Sequence, residues 1–189
     1  MRRSELGALI DARIGWDVSD YGRAGSQNWA CALHLRNGSV RGLAAGGGRV
    51  YAETLLISRE DQLAPMHRHI SKTEDIINRG SAMLAPVLYR VADCGSLEQE
   101  TLVEVTCDAL PRRLPPGGIL RLAPGESVTL TPDIWRAFRG EVGDVLIGEV
   151  STVNYDETDN IFADAYPRFA EIEEKEPHLR LLVSDDPRL

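Results

Sequence analysis

Cysteine is scarce in this 189-residue chain: Cys31, Cys94 and Cys107 are odd in number, widely separated and without a CxxC spacing. Such a set supplies neither a disulfide framework nor a thiolate metal site, and it points to the cytosol. Positive charge is also in short supply, since 21 basic residues stand against 29 acidic ones and leave a net charge of −8. That field repels phosphate backbones and anionic membrane surfaces, so nucleic acid is not an expected partner. Long apolar runs are missing as well, and no stretch reaches the roughly 20 residues that a membrane span needs. The start, MRRSELGALIDARIGW, is broken by Glu5, Asp11 and Arg13 before an apolar run develops, which excludes a signal peptide.

Helical periodicity is confined to the first residues, where Ser4 precedes Leu6, Leu9, Ile10 and Ile14 in the pattern of a short serine-capped N-terminal helix. Beyond Ile14 the chain turns β-rich. NWACALHLRNG partly alternates and turns at Asn37-Gly38, and VYAETLLISRED supplies a second short strand. SAMLAPVLYRVADCGS, ETLVEVTCDAL, GGILRLAPGESVTLTP and GDVLIGEVSTVN continue the pattern between Gly, Pro and Asp turns. Short strands at this spacing predict a sandwich or small barrel, and the length suits one domain over residues 1–189. The three glycines of LAAGGGRV match neither dinucleotide nor Walker patterns, so they read as a loop.

The segment PMHRHISKTEDIINRG carries the chemistry. Residues two apart on a strand share a face, so His67 and His69 present both imidazoles to one side with Arg68 turned away. If the chain turns after Ile70, Glu74 returns a carboxylate to the same point. Two histidines and one carboxylate form a set that holds Mn, Fe, Co, Ni or Zn with open positions. Histidine pairs also occur on solvated strands without chemical purpose, and spacing alone does not choose between the two. His34 and His178 read as structural or exposed rather than catalytic.

HxH, four residues, then Glu and a Gly six further on is similar to the first motif of the cupin superfamily. More specifically, GWDVSDYG, PMHRH, KTEDIINRG, PGESVTL and GEVSTVNYDETDN, in that order, resemble the D-lyxose isomerases, from about Gly15 to Ser184. The resemblance implies a mainly β fold with a cupin-type β-barrel, usually homodimeric, holding a divalent metal, typically manganese, in its mouth. It places His67, His69 and Glu74 on three metal ligands and Lys72 beside metal and sugar. Glu149, Asp156 and Asp159 fall on the acidic far wall. The implied activity is conversion of D-lyxose to D-xylulose; Lys72 and Glu149 are the expected catalytic groups, and Asp156, Asp159 and, by the fork of its guanidinium, Arg136 the expected substrate-binding ones. A cupin that binds a small anionic or sugar ligand without turnover, and a metal-dependent oxygenase, are the competing classes.

Two departures from the family stand out. The stretch TPDIWRAFRGE puts Arg136 where the family carries a fourth histidine ligand. A guanidinium stays protonated and has no lone pair for a cation. Either a three-ligand metal survives or the metal is lost. Arg136 either swings out to a carboxylate such as Glu141 or points inward, where its planar fork suits a carboxylate or phosphate. The second departure is a nearly absent segment between LIDA and GWD, which in the family covers the site or the dimer surface.

Overall fold

The structure is a computed structural model that describes residues 12–19 and 30–165. The expected helix from Ser4 falls almost wholly outside the described residues, as do His178 and the C-terminal tail.

The strands are β1 (Gly15–Ser19), β2 (Ala30–Arg36), β3 (Tyr51–Ser58), β4 (Ala64–His69), β5 (Glu74–Arg90), β6 (Val103–Cys107), β7 (Leu110–Leu114), β8 (Gly118–Ile119), β9 (Ser127–Leu130), β10 (Ile134–Thr152) and β11 (Asn160–Phe162). All eleven share one sheet, in the order β1-β2-β3-β10-β5-β9-β6-β7, with β4 branching from β10, β11 from β4 and β8 from β5. The mainly β expectation holds. The ladder among the described residues does not close on itself.

Two long strands organise the sheet. β5 and β10 run antiparallel from Glu74↔Ser151 to Arg90↔Ile134, interrupted by register shifts near Glu141–Val145 and Leu146–Ile147. The sequence around Asn78-Arg79-Gly80-Ser81 reads as a turn between strands. In the fold it is a bend within one strand, because Gly80 and Ser81 take φ of 142° and 86° and the pairing resumes beyond them. Asn78 holds the bend from inside, donating to the carbonyls of Ala82 (2.8 Å) and Leu122 (2.9 Å) and accepting from the Gly80 amide (3.0 Å). In β10 the matching bend lies at Val142 and Gly143, with φ of 64° and 125°.

The core follows strand alternation. Val103, Val105 and Cys107 of β6, and Val128 and Leu130 of β9, point inward onto Ile76, Leu84, Leu88, Ile134, Phe138 and Ile147. Each such side chain contributes roughly 1.5–3 kcal/mol by leaving water. Glu74 and Asn78 lie on the same inward face of β5 as Ile76, so the register that builds the core also carries the Glu74 carboxylate inside.

Asn37-Gly38 does not form a two-residue hairpin. After β2 the chain enters a five-residue helix, Val40–Ala44, capped by Ser39. Asn37 is buried and pairs with the backbone of Asn154, donating to its carbonyl and accepting from its amide, both at 3.0 Å.

Candidate functional site

β4 delivers His67 and His69 to one cavity, with ring centroids 5.6 Å apart and nearly perpendicular planes. Arg68, between them, points elsewhere and covers the Trp135 ring. Only Ile70–Thr73 separates β4 from β5, and Asp159 shapes that turn. Its Oδ1 accepts from the Ser71 amide (2.8 Å) and hydroxyl (2.7 Å), and its Oδ2 from the Lys72 amide (3.2 Å). The turn points Lys72 and Glu74 into the same cavity as the histidines.

The liganding atoms of His67, His69 and Glu74 all lie within 4.8 Å of one another, and this is the candidate metal group among the described residues. His67 is set up as a donor. Its Nδ1 is 2.7 Å from the Pro65 carbonyl, which fixes a proton there and leaves Nε2 as a free lone pair. Burial, with the Arg136 guanidinium next in weight, lowers its pKa to about 3.

Glu74 is less available. Arg136 is fully buried and donates Nε (2.9 Å) and Nη2 (2.6 Å) to Glu74 Oε1, while its Nη1 donates to the Ile134 carbonyl (3.0 Å). The Lys72 ammonium (3.1 Å) and His69 Nε2 (3.2 Å) share Oε2. Burial opposes ionisation of this carboxyl, but Arg136, Lys72 and His69 together hold its pKa well below the usual range. The outward swing of Arg136 to Glu141 is not what the structure shows. Glu141 takes Arg121 (2.9 Å) and Arg139 (3.5 Å) instead.

A divalent ion therefore does not fit the trio as it is arranged. An ionised carboxylate offers about four acceptor positions, and four donors already fill those of Glu74. His69 Nε2 lies 3.2 Å from that carboxylate and its Nδ1 3.3 Å from Asp159 Oδ2, so the ring is held between two acidic groups. Lys72 and Arg136 already stand against the Glu74 and Glu149 carboxylates. At an effective dielectric of about 20, a dication about 4 Å from a guanidinium is repelled by about 8 kcal/mol.

The other expected residues divide. Lys72 and Glu149 meet on the cavity wall, Nζ to Oε1 at 2.7 Å, with Asn154 Oδ1 3.3 Å from the same ammonium. Glu149 comes from the far half of β10, opposite Thr54 of β3 and Ile76 of β5. Arg136 does not line the cavity, and the Asp159 carboxylate is turned to the Ser71 and Lys72 backbone and to His69 Nδ1 (3.3 Å). Both therefore stand behind the wall. Asp156 begins a single helical turn, and its side chain lies outside the described residues.

Several lining residues escaped the sequence reading. His34 is half-buried on the cavity wall, with Nδ1 3.0 Å from Thr54 Oγ1 and Nε2 3.7 Å from Asp17 Oδ2. Gln62, Asn154, Asn160 and Phe162 also line the cavity. Alternation put His34 on the same face of β2 as the buried Ala32, and that was the available signal.

Comparison with known proteins decides the family. The family model for D-lyxose isomerase matches residues 1–186. A D-lyxose/D-mannose isomerase of Serratia proteamaculans is 46% identical over 180 residues, covering 94% of this chain and 78% of that protein. The chain belongs to the D-lyxose isomerase family. A second D-lyxose/D-mannose isomerase, from Escherichia coli O157:H7, is 38% identical over the same shares. Among solved structures, the L-ribose isomerase of Acinetobacter sp. DL28 in complex with L-ribose superposes with a TM-score of 0.53 at 15% identity, covering 85% of this chain and 88% of that one. The L-ribose isomerase of Cellulomonas parahominis gives 0.51 at 16%, covering 72% and 70%. At those identities the likeness concerns the fold, which is the cupin fold expected of a D-lyxose isomerase. No helix among the described residues is long and apolar enough to cross a membrane.

Proposed function

We propose that this D-lyxose isomerase family member interconverts an aldose and its ketose, with D-lyxose and D-mannose as substrates, at the cavity bounded by Lys72, Glu149, His67 and His34. The observation that carries this is the Lys72–Glu149 pair, an ammonium and a carboxylate 2.7 Å apart on the cavity wall, in a chain 46% identical to a D-lyxose/D-mannose isomerase.

Isomerisation moves one hydrogen between C2 and C1. Glu149 takes the proton from C2 of the open-chain aldose, the C–H electron pair forms C1=C2, and O1 gains a proton from the Lys72 ammonium. The enediol then loses its O2 proton to the Lys72 amine while Glu149 returns its proton to C1, leaving the ketose and both side chains as they began. Acid–base groups placed in this way contribute about 10²–10⁴-fold in rate. His67 Nε2, a neutral acceptor, suits a sugar hydroxyl. His34, Thr54, Gln62 and Asn154 offer the mixed donors and acceptors that a polyol needs.

Manganese is the ion that the family resemblance implies, and it is the one to supply in assays. A homodimer in the cytosol accords with the same reading. Ile57 and Leu146, cross-strand partners on β3 and β10, are 44% and 39% exposed among the described residues, an apolar strip suited to a second copy. Incubation with D-lyxose and D-mannose, with and without Mn²⁺, tests the proposal. D-xylulose and D-fructose are the expected products, and sugar binding without any product would favour a binding module.

A further inference from the structure

We infer that the Arg136 guanidinium takes the place of a divalent cation at His67, His69 and Glu74, so that the fixed positive charge of this cavity comes from Arg136 and Lys72 and no metal is held there. The sugar is the one proposed above, but the inference about the ion stands on geometry alone.

The position is built into the sheet. Arg136 is the β10 partner of His67 on β4 and of Leu88 on β5, so its side chain starts beside the imidazole pair. It is 0% exposed, and its three hydrogen bonds are made inside: two on Glu74 Oε1 and one on the Ile134 carbonyl. For an ion to use Glu74, Oε2 must release Lys72 and His69, or Oε1 must release Arg136. Releasing Arg136 strands a buried guanidinium. The nearby acidic residue on its own strand, Glu141, already serves Arg121 and Arg139. Releasing Lys72 and His69 leaves the dication on the same carboxylate as a guanidinium that cannot deprotonate. What remains without Glu74 is the two imidazoles of His67 and His69, too few donors for a divalent site. Arg136 and Lys72 instead give Glu74 a complete set of partners, as an ion would.

The experiment is a Mn²⁺ titration of EDTA-dialysed full-length protein, following loss of the free-ion EPR signal, in wild type and Arg136→His. Wild type is expected to leave the free-ion signal unchanged at one equivalent. Arg136→His is expected to take up one ion per chain, at least about 100-fold more tightly, with nitrogen couplings from the imidazoles. Stoichiometric binding by wild type at this trio overturns the inference, and that titration needs no variant to fold. An Arg136→His protein with a native circular dichroism spectrum that still ignores Mn²⁺ overturns it too. Turnover assayed on the same samples keeps the two proposals apart. Turnover in EDTA supports the inference. Turnover that requires a tightly bound Mn²⁺ overturns it and leaves the isomerase standing. Neither turnover nor bound metal supports it and removes the isomerase.

Discussion

Arg136 and Glu74 form a closed pair inside the sheet, Nε and Nη2 on one carboxylate oxygen at 2.9 and 2.6 Å, with side-chain exposures of 0% and 2%. Removing one partner of such a pair leaves an uncompensated buried charge and costs about 3–5 kcal/mol, whereas replacing both with apolar groups is often neutral or stabilising. Arg136→Met is therefore expected to lower the unfolding free energy by an amount in that range, read from a fall in the urea midpoint at unchanged m. Arg136→Met with Glu74→Met should recover most of it. A single change costing under about 1 kcal/mol would show that the pair does not form.

Asp159 organises the turn between the two halves of the site. Burial opposes its ionised form, but contacts with His69 and with the hydroxyl and amide of Ser71 outweigh that, so its pKa lies below the ordinary 3.8. A folded-state value beneath the unfolded one means that the unfolded chain binds protons first. The stabilisation is complete above the ordinary carboxylate range and is lost as pH falls through the folded value. Asp159→Ala is expected to cost about 1–3 kcal/mol at pH 7 through the unpaired amides, with the gap to wild type narrowing below about pH 3. Chemical denaturation across pH measures this, and a gap that widens in acid would contradict it.

His67 carries its proton on Nδ1, and burial first, then Arg136, brings its pKa down to about 3. Its ring should therefore remain neutral through pH 5–8 in ¹⁵N-resolved NMR, as the Nδ1-H tautomer. Because an unfolded histidine protonates near 6.5, this group makes the fold lose stability as pH falls from about 6.5 toward 3. Titration of the ring near pH 6.5 would place it in a different environment.

Lys72→Met and Glu149→Gln each remove one end of the wall pair. Each is expected to lower kcat by about 10²-fold or more while the D-lyxose KM changes much less. Loss confined to KM would assign these groups to binding instead of proton transfer.

The site was legible where local periodicity governs it. A strand pleat puts His67 and His69 on one face whatever surrounds them, and a short turn returns Glu74 beside them. Arg136 was legible as an oddity, but its direction was not. A guanidinium on a long stem reaches either inward to Glu74 or outward to Glu141, and only the full β10 register, with Arg121 and Arg139 already on Glu141, selects the first. His34 and Asn154 reach the cavity from segments far apart in sequence, so no local pattern joins them to the histidine motif. The long strands β5 and β10 were hidden because Gly80 and Gly143 read as turns, although each bends a strand that continues.

The most direct test of the account is NMR detection of product when EDTA-treated protein is incubated with D-lyxose in D₂O. The expected result is D-xylulose, formed without added metal and abolished by Glu149→Gln, with deuterium at C1 only to the extent that Glu149 exchanges its proton with solvent before returning it. A folded sample that yields no ketose from either D-lyxose or D-mannose, with or without Mn²⁺, would contradict it.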